Sequence, residues 1–186
     1  MFGANNENVF VVGVMNAVKK MRKETLFKEK TCPFTSARLC SEIISKMHLD
    51  KNSNVLVLFT VEFAVVLKNL GFKNVTVITD VFDKKMEKLV KKVLGYNYNT
   101  IKEIENMKFD VVLGNPPYKA GLHMTFLEMA IDLIEDAGKL AFIHPSDWIV
   151  QKRDTPKSRK NAEIRRKIED RFENIHIILK DRTTFD

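Results

Sequence analysis

Cysteine is nearly missing from this chain: Cys32 and Cys40 are the only two in 186 residues. Two thiols at that spacing do not make a disulfide framework, and they are too few for a zinc site, with His48 poorly placed to complete one. The expectation is a pair of reduced thiols in a cytoplasmic protein that binds no metal. Long hydrophobic runs are missing too, and none reaches the ~20 residues a membrane-spanning helix needs. The stretch from Met1 to Asn8 has no basic region ahead of an apolar segment, so it does not read as a secretory signal. Internal repeats and low-complexity tracts are absent, which argues against solenoids and disordered linkers. What remains is 45% hydrophobic and 30% charged, an ordinary balance for one globular domain spanning residues 1–186 with a real core. The eight methionines read as core filling.

The charge balance is not neutral. The chain carries a net charge of +7 and a pI near 9.3. Lys152, Arg153, Lys157, Arg159, Lys160, Arg165, Arg166, Lys167 and Arg171 stand against four acids between Gln151 and Arg171. A second cluster is Lys19, Lys20, Arg22, Lys23, Lys28 and Lys30. Such clusters suit a polyphosphate partner, whose condensed counterions are released on binding. A solvated helix face is the plainer explanation, and charge alone does not choose between the two.

Along the chain, helix comes first and then strands alternate with helices. Val9–Lys23 and Ala37–Met47 have helical spacing of apolar residues, separated by a break at Pro33-Phe34-Thr35-Ser36. Short apolar runs of strand type are Asn54–Phe59, Val75–Thr79, Asp110–Leu113, Lys139–His144 and Ile175–Leu179. Helices are expected at Glu62–Leu70, Lys84–Leu94, His123–Asp136 and Asn161–Phe172, and the first two of these stop at Gly71 and Gly95. This alternation implies an α/β fold with a mostly parallel sheet covered on both faces. In such folds the ligand site lies beyond the carboxyl ends of the strands. That picks out Phe59-Thr60-Val61-Glu62, Asp80, Asn115 to Tyr118, and His144 to Trp148.

One of these strand ends has distinctive chemistry. Asp110-Val111-Val112-Leu113-Gly114 runs into Asn115-Pro116-Pro117-Tyr118. The two prolines fix backbone torsions and remove two N–H donors, so the loop presents carbonyls in a rigid array. The Asn115 side chain and the Pro116 backbone are then two acceptors for the hydrogens of a planar amine. Tyr118 offers a flat face on which an extruded base can stack. A bare proline turn, or a Pro-Pro-x-Tyr ligand for a peptide-binding module, is the alternative. A peptide ligand is expected in a disordered tract, not after a buried strand.

The tetrapeptide resembles the catalytic loop of S-adenosylmethionine-dependent N6-adenine methyltransferases of restriction-modification systems. The resemblance extends to Phe109-Asp110 before the strand, to the Leu140–Trp148 strand and proline loop, and to Phe34-Thr35-Ser36, where Ser36 replaces the family's usual proline. It implies a three-layer Rossmann-like methyltransferase fold. It implies Asn115, Pro116, Pro117 and Tyr118 as catalytic residues. Phe34, Thr35, Phe59, Thr60, Asp80 and Asn99 would bind S-adenosylmethionine, with Asp80 on the ribose hydroxyls and Asn99 where an acidic residue often meets the cofactor adenine. Lys119, Lys152, Arg153, Lys157, Arg159 and Lys160 would contact nucleic acid. The implied partner is DNA, with RNA as the other nucleic acid the chemistry allows.

The chain departs from the pattern in the first loop. The family's turn is roughly Asp-Pro-x-x-Gly-x-Gly; here Phe59, Thr60, Val61, Glu62 and Phe63 follow the strand and both glycines are gone. Glycines there adopt positive φ and let backbone approach the cofactor. Phe59 or Val61 could instead fill the methionine pocket, while Thr60 and Glu62 could replace lost contacts. The expectations are therefore methyl transfer to adenine N6 or, failing that, an impaired nucleic-acid-binding protein or subunit of a split enzyme. The family's last strands and target-recognition domain also have no match up to Asp186, which leaves a minimal form, one piece of a split enzyme or a fragment, and sequence specificity could come from a protein partner. Phe185 reads as a tail residue.

Overall fold

Period-two sorting of apolar side chains builds the molecule. The computed structural model describes residues 8–24, 34–79, 83–118, 121–145 and 156–177. Its strands are β1 (Val55–Leu58), β2 (Val75–Ile78), β3 (Asn97–Tyr98), β4 (Phe109–Gly114) and β5 (Ile134–Phe142). They form one sheet in the order β3-β2-β1-β4-β5, and every pairing is parallel. Parallel strands need crossovers, and helices supply them.

Helices α1 (Val9–Glu24), α2 (Ala37–Met47) and α3 (Val61–Asn69) cover one face. There Val55 and Val57 of β1 and Val111 and Leu113 of β4 pack with Met15, Val18, Cys40, Ile44 and Phe63. Alternate residues Leu56, Leu58 and Val112 turn to the other face, against α5 (Ile101–Ile104) and α6 (Leu122–Leu133), through Ile104, Ala130 and Leu133. Helix α7 (Pro156–Arg171) lies outside α6, joined through Ile164 and Ile168 to Met124, Leu127 and Ile131. The result is the three-layer Rossmann-like arrangement expected from the alternation.

Several expected elements are redrawn. The helix expected over Lys84–Leu94 is α-helical only over α4 (Lys84–Lys88) and continues as a π-helical segment, Leu89–Leu94. It ends at Gly95, which takes φ 68. The helix expected to reach Asp136 stops at Leu133 because Ile134 pairs with Phe109 in the sheet. Pairing resumes at Val111 and Lys139, so Glu135 to Gly138 bulge from the ladder. Gly138 fits this bulge for want of space: a Cβ there would lie 2.5 Å from the Ile134 side chain. The strand expected at Ile175–Leu179 is not formed over Ile175–Ile177, which are exposed and outside the sheet; the remainder of that run lies outside the described residues. Composition alone does not make a strand without an edge to pair with. Among the described residues no helix is long and apolar enough to cross a membrane.

Candidate active site

Strand order reverses between β1 and β4. The connection from β1 leads to β2 on one side, whereas β4 sits on the other. Neighbouring connections therefore diverge at the carboxyl ends of these two strands, the crevice position at which such folds take a ligand. The chain places Phe59-Thr60 at one lip and Asn115-Pro116-Pro117 at the other. They are tied at the base by the Asn115 amide, which donates to the Leu58 carbonyl at 3.2 Å.

The β4 lip rests on a glycine. A Cβ at Gly114 would lie 2.8 Å from the Phe142 ring, so β5 can lie this close only because the side chain is absent. Asn115, Pro116 and Pro117 are buried and Tyr118 is half-buried. The Asn115 side-chain nitrogen donates to Thr35 Oγ1 at 3.0 Å, and its Oδ1 accepts the Tyr118 hydroxyl at 2.7 Å. The same hydroxyl lies 3.3 Å from the Ile143 carbonyl. His123 meets the Tyr118 ring edge-on at 5.9 Å between centroids and stacks on His144 at 6.0 Å.

The β1 lip is built without glycine yet keeps a glycine-like turn. Phe59 takes φ 65, a left-handed conformation that costs an L-residue roughly 1–2 kcal/mol. Packing offsets that cost, since the Phe59 ring is buried against Phe126 with centroids 4.3 Å apart. Arg22 of α1 donates from Nη2 to the Phe59 carbonyl and to Glu62 Oε2, both at 3.0 Å. Glu62 lies in the first turn of α3, where a carboxylate complements the helix dipole. Burial raises its pKa, and the Arg22 charge opposes that rise. Burial, with Glu62 nearby, also pushes the Cys40 thiol up. The Thr60 hydroxyl is buried and makes no hydrogen bond with any described residue.

Of the residues expected at the site, Thr35, Phe59, Thr60 and Asn115 through Tyr118 come together in or beside this crevice. Phe34 is half-buried beneath Lys19, whose Nζ lies 5.3 Å from its ring centroid. Asn99 sits past β3, its amide donating to the Val77 carbonyl at 3.1 Å. Tyr98 beside it shares a hydrogen bond with Thr79 at the end of β2, and burial raises its pKa. Asp80, Lys119, Lys152 and Arg153 lie outside the described residues, as does the side chain of Lys157, whereas Arg159 and Lys160 are exposed on α7. The Val61 side chain lies in the core under α3, and Phe59 in the core on the α6 face. Arg22 belongs to the second basic cluster, and nothing in the sequence pattern gives it a place at this site. Its partners lie 37 and 40 residues away, and no local pattern announces such a contact. Among the described residues no group of three or more His, Cys, Asp or Glu could hold a metal ion.

The family model for Eco57I restriction-modification methylase matches residues 7–125, well over half of the chain. The chain belongs to the Eco57I restriction-modification methylase family. In this Eco57I-family chain, the matched span takes in α1 with Arg22, both lips of the crevice and the Asn115–Tyr118 loop. The methyltransferase small domain matches residues 73–184, covering β2 onward. No curated protein matches. Among solved structures, the shikimate 5-dehydrogenase-like protein HI0607 is similar, with 16% identity and a TM-score of 0.41. The alignment covers 72% of this Eco57I-family chain and 61% of that protein.

Proposed function

We propose that this chain transfers a methyl group from S-adenosylmethionine to N6 of adenine in DNA. The observation that carries this reading is Asn115, buried at the end of β4, with its side-chain oxygen accepting a donor at 2.7 Å. In this arrangement the Tyr118 hydroxyl stands in for a substrate N–H. An adenine amine is a poor nucleophile because its lone pair is delocalised into the ring. Asn115 Oδ1 and the Pro116 carbonyl would accept its two hydrogens and favour a pyramidal nitrogen. Pro116 and Pro117 hold these acceptors rigid, so little reorganisation is needed as charge develops. Tyr118, released from Asn115, would present its ring to the extruded base. No base need act before transfer, since the amine can lose its proton afterwards.

The polar groups on the β1 lip fit the amino-acid end of the cofactor. Thr60 contributes a buried hydroxyl with no described partner, Glu62 a carboxylate, and Phe59 the left-handed turn that glycine normally makes. Phe34, Thr60, Asp80 and Asn99 would hold the cofactor, which when bound supplies an electrophilic methyl on a sulfonium sulfur. Lys119, Lys152, Arg153, Lys157, Arg159 and Lys160 would track phosphates. A target-recognition partner and an RNA substrate belong to the same proposal as its variants. The absence of both glycines from the β1 turn favours a second reading, a nucleic-acid-binding subunit that has lost methyl transfer.

Calorimetric titration with S-adenosylmethionine, followed by transfer of labelled methyl to adenine-containing DNA, tests the first reading. Micromolar binding with transfer, abolished in Asn115→Ala at unchanged folding, is the expected result. Full activity of that variant would sink the mechanism. Absence of cofactor binding by a folded sample at millimolar concentration would favour the second reading.

A further inference from the structure

An asparagine amide has two nearly isosteric ends, one an acceptor and the other a donor. For Asn115 to receive an amine hydrogen, Oδ1 must face the crevice; the reverse orientation would set NH2 against NH2. Within the loop the Tyr118 hydroxyl bonds Asn115 Oδ1 at 2.7 Å, and an incoming amine would displace it. Thr35, outside the loop, holds the other end of the amide. Its Oγ1 accepts from Asn115 Nδ2 at 3.0 Å, and both residues are buried.

Thr35 is itself held on several sides. Its backbone amide points to Glu62 Oε1 at 3.4 Å, and Glu62 is bound by Arg22 at 3.0 Å. The next residue, Ser36, caps α2 by accepting from the Leu39 amide at 3.3 Å. A β-branched side chain has restricted χ1, which suits a residue whose hydroxyl must stay in one place. A polar chain thus runs from α1 through Arg22, Glu62 and Thr35 to Asn115 and the Tyr118 hydroxyl.

We infer that Thr35 is a positioning residue that anchors the Asn115 side-chain amide at the end of β4, and that Arg22 and Glu62 hold Thr35 in register for this task. The inference rests on the methyl-transfer reading of the Asn115 loop. It moves Thr35 from the cofactor-binding set to the catalytic loop.

Thr35→Val keeps shape and removes the acceptor; Thr35→Ser keeps the acceptor. The full chain is assayed for kcat and for binding of S-adenosylmethionine. The expected result for Thr35→Val is a fall in kcat of up to about 100-fold, the scale of a misplaced catalytic group. Affinity for S-adenosylmethionine should change little, and Thr35→Ser should restore most of kcat. Unchanged kcat in Thr35→Val overturns the inference. So does a loss confined to cofactor affinity, which would make Thr35 a cofactor ligand. Urea unfolding of Thr35→Val, Asn115→Ala and the double variant gives a second readout that needs no activity. Non-additive effects support the coupling and additive effects overturn it. Absence of transfer by the unmodified chain would instead refute the methyl-transfer reading, and the unfolding cycle would still decide whether Thr35 and Asn115 act as a pair.

Discussion

Phe59 shows how a residue apparently wrong for its position can be right for its neighbours. The turn after β1 demands positive φ, and Phe59 supplies it at φ 65 while filling the core against Phe126. Two effects compete if Phe59 is changed to glycine. Phe59→Gly relieves roughly 1–2 kcal/mol of backbone strain but removes a buried ring whose loss costs about 3–5 kcal/mol. Packing wins, so the variant should be less stable by roughly 2–3 kcal/mol in urea unfolding. A variant of unchanged or greater stability would show that strain dominates. Arg22 belongs at this scale too: one guanidinium bonds the Phe59 carbonyl and the Glu62 carboxylate that flank Thr60.

At the scale of elements, we expect α7 to divide its charges between docking and phosphate contact. Lys167 pairs with Glu128 of α6, and Arg171 reaches the Ile134 carbonyl at 3.0 Å and Asp136 at 2.8 Å. These side chains dock α7, so they are not spare phosphate ligands. Lys160 and Arg166 are exposed on the same helix. Reversing both charges should weaken DNA binding and flatten its dependence on salt by about 0.9 per lost phosphate contact, without lowering the melting temperature. Arg171→Ala should do the opposite, costing about 1 kcal/mol of stability and leaving the salt dependence unchanged. Equal effects of the two changes would refute this division.

Helices and strands with a clear period were legible in the sequence. Helix α2 has the predicted bounds, and β1, β2 and β4 follow from short apolar runs. Strand β3 was not legible because two residues carry no period. The π-helical segment was hidden because six residues do not distinguish one helical period from another. Ile175–Ile177 have strand composition, but no sheet edge takes them up. The Asn115–Tyr118 loop could be read because its chemistry is local. The contacts of Arg22, Glu62 and Thr35 could not, because tertiary packing makes them across tens of residues.

For the whole molecule, the sheet order puts β1 and β4 inside and leaves β3 short at one end. Residues of β1 are fully buried, while β5 is exposed or half-buried over most of its length. Native-state hydrogen exchange should therefore be slowest in Val55–Leu58 and Val111–Leu113 and faster in β3 and β5. Faster exchange in β1 than in β5 would mean that the sheet opens from its centre.

The β1–β4 neighbour relation also sets a timetable for synthesis. The bond between Thr35 and Asn115 spans 80 residues, and the Tyr118 hydroxyl reaches forward to Ile143. At ribosomal speeds of ~5–20 residues per second, Arg22 and Ile143 emerge on the order of ten seconds apart. Until β4 leaves the exit tunnel, one edge of β1 waits unpaired and the Arg22–Glu62 pair lacks its completed surroundings. A nascent chain of this design passes through an interval in which a chaperone, or a wrong strand, can reach β1 before β4 does.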